Sequence, residues 1–252
     1  MSVPNDIRLS VVIPAYNERD NIERTLRQCH EALTRLCREF EILVVNDCST
    51  DGTGELAEDL ARQLPGVRVI HNPRNLRQGA SLIRGFQSAR MDWVTHNAMD
   101  YPFHLEDLER VFPLLAQHEV VAIARDQRPD SNLYRRFLTS VNLFLLRNFF
   151  GLRLKDYNFV QVYRRDVLQS LDFSATSTGF LTPSLLFQAH DRGCRIAEIT
   201  LPYWPRERGV ARSGNWKVLR DTLRDLLKFW WRRQFQSPSR APAKHTTDHP
   251  SG

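Results

Sequence analysis

Leu9, Val11, Val12 and Ile13 form a nearly continuous apolar run that ends at Pro14. Such a run suits a parallel strand covered on both faces. Proline cannot donate a ladder hydrogen bond, so the strand is expected to stop at Pro14. The period then changes. Ile22, Leu26, Cys29, Leu33 and Leu36 recur at helical spacing between Asn21 and Phe40. Asn17 or Asp20 can cap that helix, and Glu18 and Glu23 fall in its first turns, where the helix dipole favours negative charge. The loop from Ala15 to Glu18 therefore opens at a strand's carboxyl end, where open α/β sheets bind ligands.

The alternation continues downstream. Strands are predicted at Glu41–Val45, Val67–His71, Asp92–His96 and Val120–Ala124, and helices at Thr53–Leu64, at Gln78–Ala89 and towards Leu115. Asn46 to Thr53 reads as a polar turn, and Pro65 with Gly66 breaks the chain before the third strand. Strands alternating with helices argue for an α/β fold with a mostly parallel sheet and right-handed crossovers. Near residue 131 the pattern changes. Ser131 to Leu152 reads as a strongly apolar helix with basic residues near both ends, richer in Phe and Leu than an ordinary exposed helix. A short strand at Phe159–Tyr163 follows, then a helix at Thr182–Arg192 closed by Gly193. A last strand at Arg195–Trp204 precedes a final amphipathic helix at Trp216–Phe235, about 30 Å long. Residues 237–252 are rich in Ser, Pro and His and are expected to be a disordered tail.

Composition adds the bounds. The 252 residues are 42% apolar and 25% charged, which reads as one domain over residues 1–236. A formal charge of +6 suits an anionic partner, such as a nucleotide, a lipid phosphate, a membrane surface or a nucleic acid, although charge alone selects none of them. No nucleic-acid-binding motif is present, so no nucleic acid partner is expected. Cys29, Cys37, Cys48 and Cys194 lack C-x-x-C spacing, so reduced, buried thiols are expected rather than a disulfide framework or a zinc site. The first residues lack the apolar core of a signal peptide. No run of about 18 apolar residues is present, so no spanning helix is expected.

Two stretches carry a resemblance. Pro14, Ala15, Tyr16, Asn17 and Glu18, together with Asn46, Asp47, Cys48 and Ser49, resemble the start of family 2 glycosyltransferases. Within that family the chain looks most like the dolichyl- or polyprenyl-phosphate sugar transferases, over roughly residues 8 to 215. The resemblance implies a GT-A-type, Rossmann-like sheet flanked by helices and an inverting transfer from a nucleotide-diphospho-sugar (GDP- or UDP-linked) to a polyprenyl phosphate. It also implies a donor site formed by Pro14, Tyr16, Asn17, Glu18 and Asp47. The family has Asp-x-Asp after the fourth strand, binding Mg²⁺ or Mn²⁺; here Ala98 replaces the first carboxylate and Asp100 remains as the metal ligand and a catalytic group. After the last strand, Arg206, Gly209 and Arg212 match a basic loop that closes over the diphosphate. Asp156 matches an acidic acceptor-side position, where the resemblance implies a catalytic group that orients the acceptor or serves as general base; Arg164 matches an arginine of the family's pair, whereas Gln161 stands where a basic residue is usual. Arg135 and Arg136 are candidates for gripping the acceptor phosphate.

Each feature also has a plainer reading. Asn46 to Thr53 reads as a turn with a helix cap, Asp100 as a loop residue, and the arginine loop as basic surface. Arg135 and Arg136 read equally as a helix's solvated end. The amphipathic helices near 132–150 and 216–235 suit the headgroup plane of a membrane, and equally suit packing on each other, a second subunit or a membrane-anchoring partner. The expected location is cytoplasmic, peripheral on the cytosolic face. The rival functions are transfer to a soluble acceptor, motivated by Gln161, and a non-catalytic scaffold or regulator, motivated by Asn46, Ala98 and Gln161.

Overall fold

The computed structural model describes residues 6–101, 103–126, 146–147, 150–177, 179–202 and 216–235, with the backbone alone for 216–219. The chain alternates β1 (Arg8–Ala15), α1 (Arg19–Leu36), β2 (Glu39–Asn46), α2 (Thr53–Gln63), β3 (Val67–His71), α3 (Arg77–Ser88) and β4 (Trp93–His96). A 3₁₀ turn at Leu105–Arg110 leads into α4 (Phe112–Leu115) and β5 (Val120–Arg125). Then come β6 (Gln161–Arg164), α5 (Arg165–Ser170), α6 (Leu181–Asp191), β7 (Ile196–Leu201) and α7 (Trp216–Phe235). Among the described residues the strands form one seven-stranded sheet in the order β3-β2-β1-β4-β6-β5-β7. Of these described strands only β6 runs antiparallel to its neighbours, β4 and β5. The expected α/β class and mostly parallel sheet are therefore present.

Strand alternation divides the core into two layers. Val11, Ile13, Ile42 and Val44 face the side of α1 and α2, where they meet Leu26, Leu33 and Leu60. Val12, Leu43 and Val45 face the other side, with Phe86 of α3 and Leu186 and Phe187 of α6. α7 adds Leu226, Phe229 and Trp230 to that second layer. The ring of Phe229 lies 5.7 Å from that of Phe150 and 5.6 Å from that of Phe180. Arg233 fixes the helix end by donating to the carbonyl of Phe150 at 3.0 Å and pairing with Asp191 at 2.5 Å.

Several boundaries differ from expectation. β1 does not stop at Pro14; it pairs with β2 as far as Ala15, opposite Asn46. The Val12 carbonyl accepts from Asn97 on the β4 side, and the Ala15 carbonyl accepts from Asp47 on the β2 side. Peptide groups alternate in direction, so the Pro14 nitrogen faces β4, whose ladder with β1 has already ended at Val12 and His96. The missing donor is harmless there. α1 begins at Arg19 and ends at Leu36, because β2 starts at Glu39 to pair with Arg8. Neither Asn17 nor Asp20 caps it; Glu18 occupies the cap without a side-chain bond. The helix expected towards Leu115 is split into a 3₁₀ turn and a single α-turn. Cys29 and Cys37 are buried, and burial pushes the Cys37 thiol up to about 12, but Cys48 is exposed and Cys194 half-buried. Most of the apolar helix expected over 131–152, the arginine loop around 206–212 and the tail lie outside the described residues. Within the first of these, Leu146 and Phe150 are buried in the second layer.

Candidate functional site

The strand order departs from β1 in both directions, to β2 and to β4. A crevice opens at such a switch point, outside the carboxyl ends of the strands. Backbone strain marks the same place. Among the described residues, the non-glycine residues with positive φ are Asn17 (55°), Cys48 (60°), Arg77 (71°) and Tyr101 (50°). Asn17, Cys48 and Tyr101 fall in the loops after β1, β2 and β4, and Arg77 is the first residue of α3, where the loop after β3 ends. Such a conformation costs about 1–2 kcal/mol for an L-residue and persists where the surroundings fix it, as at ligand sites.

The first two loops are stitched together. Asn17 donates its amide to Ser49 Oγ at 3.0 Å, and its Oδ1 accepts from Thr50 N at 2.9 Å. Glu18 N donates to Thr53 Oγ1 at 2.9 Å, and Arg19 N to Asp51 Oδ2 at 3.2 Å. Burial acts to raise the Asp51 pKa, but bonds from the Thr53 hydroxyl and from the amides of Thr53 and Arg19 outweigh it, holding the carboxyl below its ordinary value. Tyr16 stands beside this frame with its ring exposed.

Asp47, only 3% exposed, organises the third loop. Its Oδ1 accepts from Asn72 Nδ2 at 2.7 Å and from Leu76 N at 2.8 Å, and its Oδ2 from Arg77 N at 2.8 Å. Asn72 also donates to Ser81 Oγ and accepts from Arg84. The left-handed Arg77 is thus held by a buried carboxylate, and its guanidinium reaches Asp221 of α7 at 3.7 Å. Gly79, one turn into α3, lies against the carbonyl of Thr176, which a Cβ there would meet at 2.0 Å.

The fourth loop carries Asp100, half-buried with its Oδ2 enclosed. The loop is fixed by Asn97, which donates to Phe103 O at 2.7 Å and accepts from Ala98 N at 2.9 Å, and by Thr25, which donates to Met99 O at 2.6 Å. The Asn97 carboxamide thereby ties both ends of the loop together, its nitrogen to Phe103 and its oxygen to Ala98. Among the described residues no three His, Cys, Asp or Glu side chains come together to hold a metal ion. Asp100 is thus the carboxylate of this loop, and hard cations of the Mg²⁺ kind take one or two carboxylates and complete their shell with substrate phosphates and water.

Beyond β4 the same end of the sheet holds Asp156 and Gln161. Asp156 is buried and takes a two-pronged ion pair from Arg125, at 2.6 and 3.2 Å. Gln161 is also buried; it donates to the carbonyls of Tyr157 and Phe159, and its Oε1 lies 3.4 Å from His96 Nε2. The half-buried His96 ring packs edge-on to Phe86, and desolvation pushes the imidazole down to about 4, with the Gln161 contact opposing. Arg164 is elsewhere. It pairs with Trp93 at the start of β4, so it lies at the opposite end of the sheet, ion-paired with Asp166 and Glu119.

Residues 10–172 match the sequence pattern of the family described as Glycosyl transferase family 2. The chain belongs to this family. Its relatives include an undecaprenyl-phosphate 4-deoxy-4-formamido-L-arabinose transferase of Pseudomonas fluorescens (strain SBW25), 34% identical over 87% of this chain and 63% of that one. A polyprenol monophosphomannose synthase of Mycolicibacterium smegmatis is 30% identical over 81% of this chain and 80% of the relative. The chain thus spans less than two thirds of the first relative's length. Among solved structures, a glucosyl-3-phosphoglycerate synthase of Mycobacterium tuberculosis, in complex with Mn²⁺, UDP-glucose and phosphoglyceric acid, aligns with a TM-score of 0.68 at 25% identity. That alignment covers 89% of this chain and 80% of the synthase. A mannosyltransferase from Pyrobaculum calidifontis, in complex with GDP-Man and Mn²⁺, aligns with a TM-score of 0.64 at 19% identity, over 94% of this chain and 66% of that chain, and shares the fold.

In this glycosyltransferase family 2 chain the fold places Pro14, Tyr16, Asn17, Glu18, Asp47 and Asp100 at the carboxyl ends of the neighbouring strands β1, β2 and β4 and Asp156 at the same sheet end; it separates Arg164 from them. Arg135, Arg136, Arg206 and Arg212 lie outside the described residues. Sequence reasoning missed Asn72, Arg77 and His96. Asn72 is followed by Pro73 and, two residues on, Asn75, a turn signal that marks the loop. Nothing local marks the partial burial of His96. Among the described residues no helix is long and apolar enough to cross a membrane.

Proposed function

We propose that this chain transfers one sugar from a GDP- or UDP-linked donor to a polyprenyl phosphate, with inversion, on the cytosolic face of a membrane. The observation that carries the reading is the set of left-handed residues Asn17, Cys48, Arg77 and Tyr101, one in each segment that follows β1 to β4 at the switch point of the sheet, with Asp47 and Asp100 in two of those segments. The acceptor class is supported by the undecaprenyl-phosphate and polyprenol names of the two relatives.

In this reading the exposed ring of Tyr16 and the Asn17–Glu18 turn border the nucleoside. Asp47 acts as a positioning residue, holding the Leu76 and Arg77 amides at the crevice rim. Asp100 would hold a Mg²⁺ or Mn²⁺ ion together with the donor's diphosphate, and the ion's charge would neutralise the leaving group. Arg206 and Arg212 are assigned to the same diphosphate, where planar guanidinium forks suit phosphate oxygens. An oxygen of the acceptor phosphate attacks the anomeric carbon as the bond from that carbon to the diphosphate oxygen breaks, its electron pair leaving with the nucleotide. That acceptor is already ionised, so no general base is required. Asp156, tied to Arg125, accordingly orients the acceptor side. Arg135 and Arg136 are assigned to the acceptor phosphate; Arg164 has no place in it.

Incubation with labelled GDP- and UDP-sugars and a polyprenyl phosphate tests the proposal. Label should move into butanol-extractable lipid. A water-soluble product alone would overturn the lipid acceptor. That second outcome has its own support in Gln161, whose buried amide leaves no cation where the family usually has one, and in the resemblance to a synthase bound to phosphoglyceric acid.

A further inference from the structure

α7 buries one face and leaves another bare. Leu226, Phe229, Trp230 and Arg233 face the core. On the opposite face Leu223, Leu227, Trp231 and Phe235 are 48%, 61%, 56% and 62% exposed. Their i, i+4 spacing aligns them in one stripe about 18 Å long. The Trp231 and Phe235 rings lie 4.2 Å apart, centroid to centroid. These four and Tyr16 are the exposed large hydrophobics among the described residues, so most of such surface is concentrated on this helix.

The charge beside the stripe has one sign. Arg220, Arg224, Lys228 and Arg232 form a second i, i+4 row, all exposed. The helix's acids turn inward: Asp221 reaches Arg77, and the buried Asp225 accepts from Thr176 N at 3.2 Å and Ser177 N at 2.9 Å. Weak side contacts of the row run from Arg220 to Asp221 at 3.3 Å, from Arg224 to Asp225 at 3.7 Å and from Arg232 to Asp172 at 3.6 Å. They leave these side chains more than half exposed. An apolar stripe edged by cations on a helix in the plane of a surface is the pattern that anionic bilayers select.

We propose that the outer face of α7 is a docking surface for an anionic lipid bilayer, with Leu223, Leu227, Trp231 and Phe235 entering the acyl boundary and the basic row meeting lipid phosphates. The inference rests on the lipid-acceptor reading for its purpose and names the surface that reading lacks. It also gives the crevice an orientation. The inner face of α7 grips Arg77 through Asp221 and the 176–177 segment through Asp225, and Gly179 packs on Thr222. A docked helix therefore holds the rim of the third crevice loop close to the headgroups, where a lipid phosphate lies.

The test is sedimentation of the full chain with vesicles of phosphatidylcholine alone or with about one quarter phosphatidylglycerol, where binding to the anionic vesicles should be about tenfold tighter or more. Leu227→Glu with Trp231→Glu should abolish sedimentation with both. Arg224→Gln with Lys228→Gln should remove the preference for the anionic lipid while leaving residual binding. All three proteins should keep one urea midpoint, since these side chains are exposed. Transfer to a short, water-soluble isoprenyl phosphate should be unchanged in the Glu variant, and transfer to a long acceptor in vesicles should fall. Vesicle binding as described, with no sugar transfer to any lipid phosphate, would sink the acceptor reading and leave the docking surface standing. Sedimentation of the Glu variant like the parent, or a parent dimer that the Glu variant splits without any vesicle binding, would overturn the docking surface.

Discussion

Replacing Asp47 by Asn keeps the shape of the side chain and removes its charge. In the native loop Oδ1 serves Asn72 and Leu76, and Oδ2 serves Arg77, all at 2.7–2.8 Å. The Asn oxygen can keep the first two partners. Its NH₂ then faces the Arg77 N–H, donor against donor, in a site that is nearly closed to water. Hydrogen bonds to charged groups contribute about 1.5–3 kcal/mol each, so losing one and weakening two should destabilise the fold by roughly 3 kcal/mol. Arg77 is also in a left-handed conformation that only its surroundings maintain, so the loop should relax once the carboxylate is gone. In urea, with a slope near about 3 kcal/mol per molar, the midpoint should fall by about 1 M at unchanged slope. Nucleotide affinity should fall with it, because the rim of the crevice moves. A midpoint within about 0.2 M of the parent, accompanied by weaker nucleotide binding, would refute the reasoning. It would mean that Asp47 touches the ligand and does not organise the loop.

Other predictions follow from the same geometry. The His96 imidazole is held neutral by burial, with its pKa near 4 against an ordinary value of 6.5, so its contribution is complete above pH 6.5 and is lost as pH falls towards 4. The parent should lose up to about 2–3 kcal/mol more than His96→Gln between pH 7 and pH 4.5, read as urea midpoints; parallel losses would contradict the assignment. Gly79→Ala places a methyl on the Thr176 carbonyl and should destabilise by about 1–3 kcal/mol, measured by thermal unfolding. Asp156→Asn breaks a buried pair and leaves the Arg125 charge in place, which should lower stability by about 3 kcal/mol or more; a loss below about 1 kcal/mol would mean that water enters freely there.

Much of this was legible in the chain because local pattern and fold agree. The apolar runs at Val11–Ile13 and Ile42–Val45 are buried on both faces, as parallel strands require, and the third strand and the last helix lie where their periodicity places them. What was not legible depended on partners distant in sequence. Pro14 continues β1 because β4 ends early on that side, a fact about register and not about proline. β6 is antiparallel and places Arg164 at the far end of the sheet, and nothing in Arg164 or its neighbours signals that reversal. The crevice motifs Tyr16–Glu18 and Asp47 announced themselves by type and spacing. The roles of Asn97, Asn72 and Arg77 emerged only with the hydrogen bonds that commit each to its loop.

Calorimetric titration of UDP and GDP into the parent chain and into Asp100→Ala, with Mg²⁺, with Mn²⁺ and with EDTA, addresses the central claim most directly. The account predicts micromolar binding of one nucleotide to the parent with metal, weakened about tenfold or more by EDTA and equally by Asp100→Ala. Absence of binding by either nucleotide under every condition would contradict it and leave a family member that does not use the crevice for a nucleotide diphosphate.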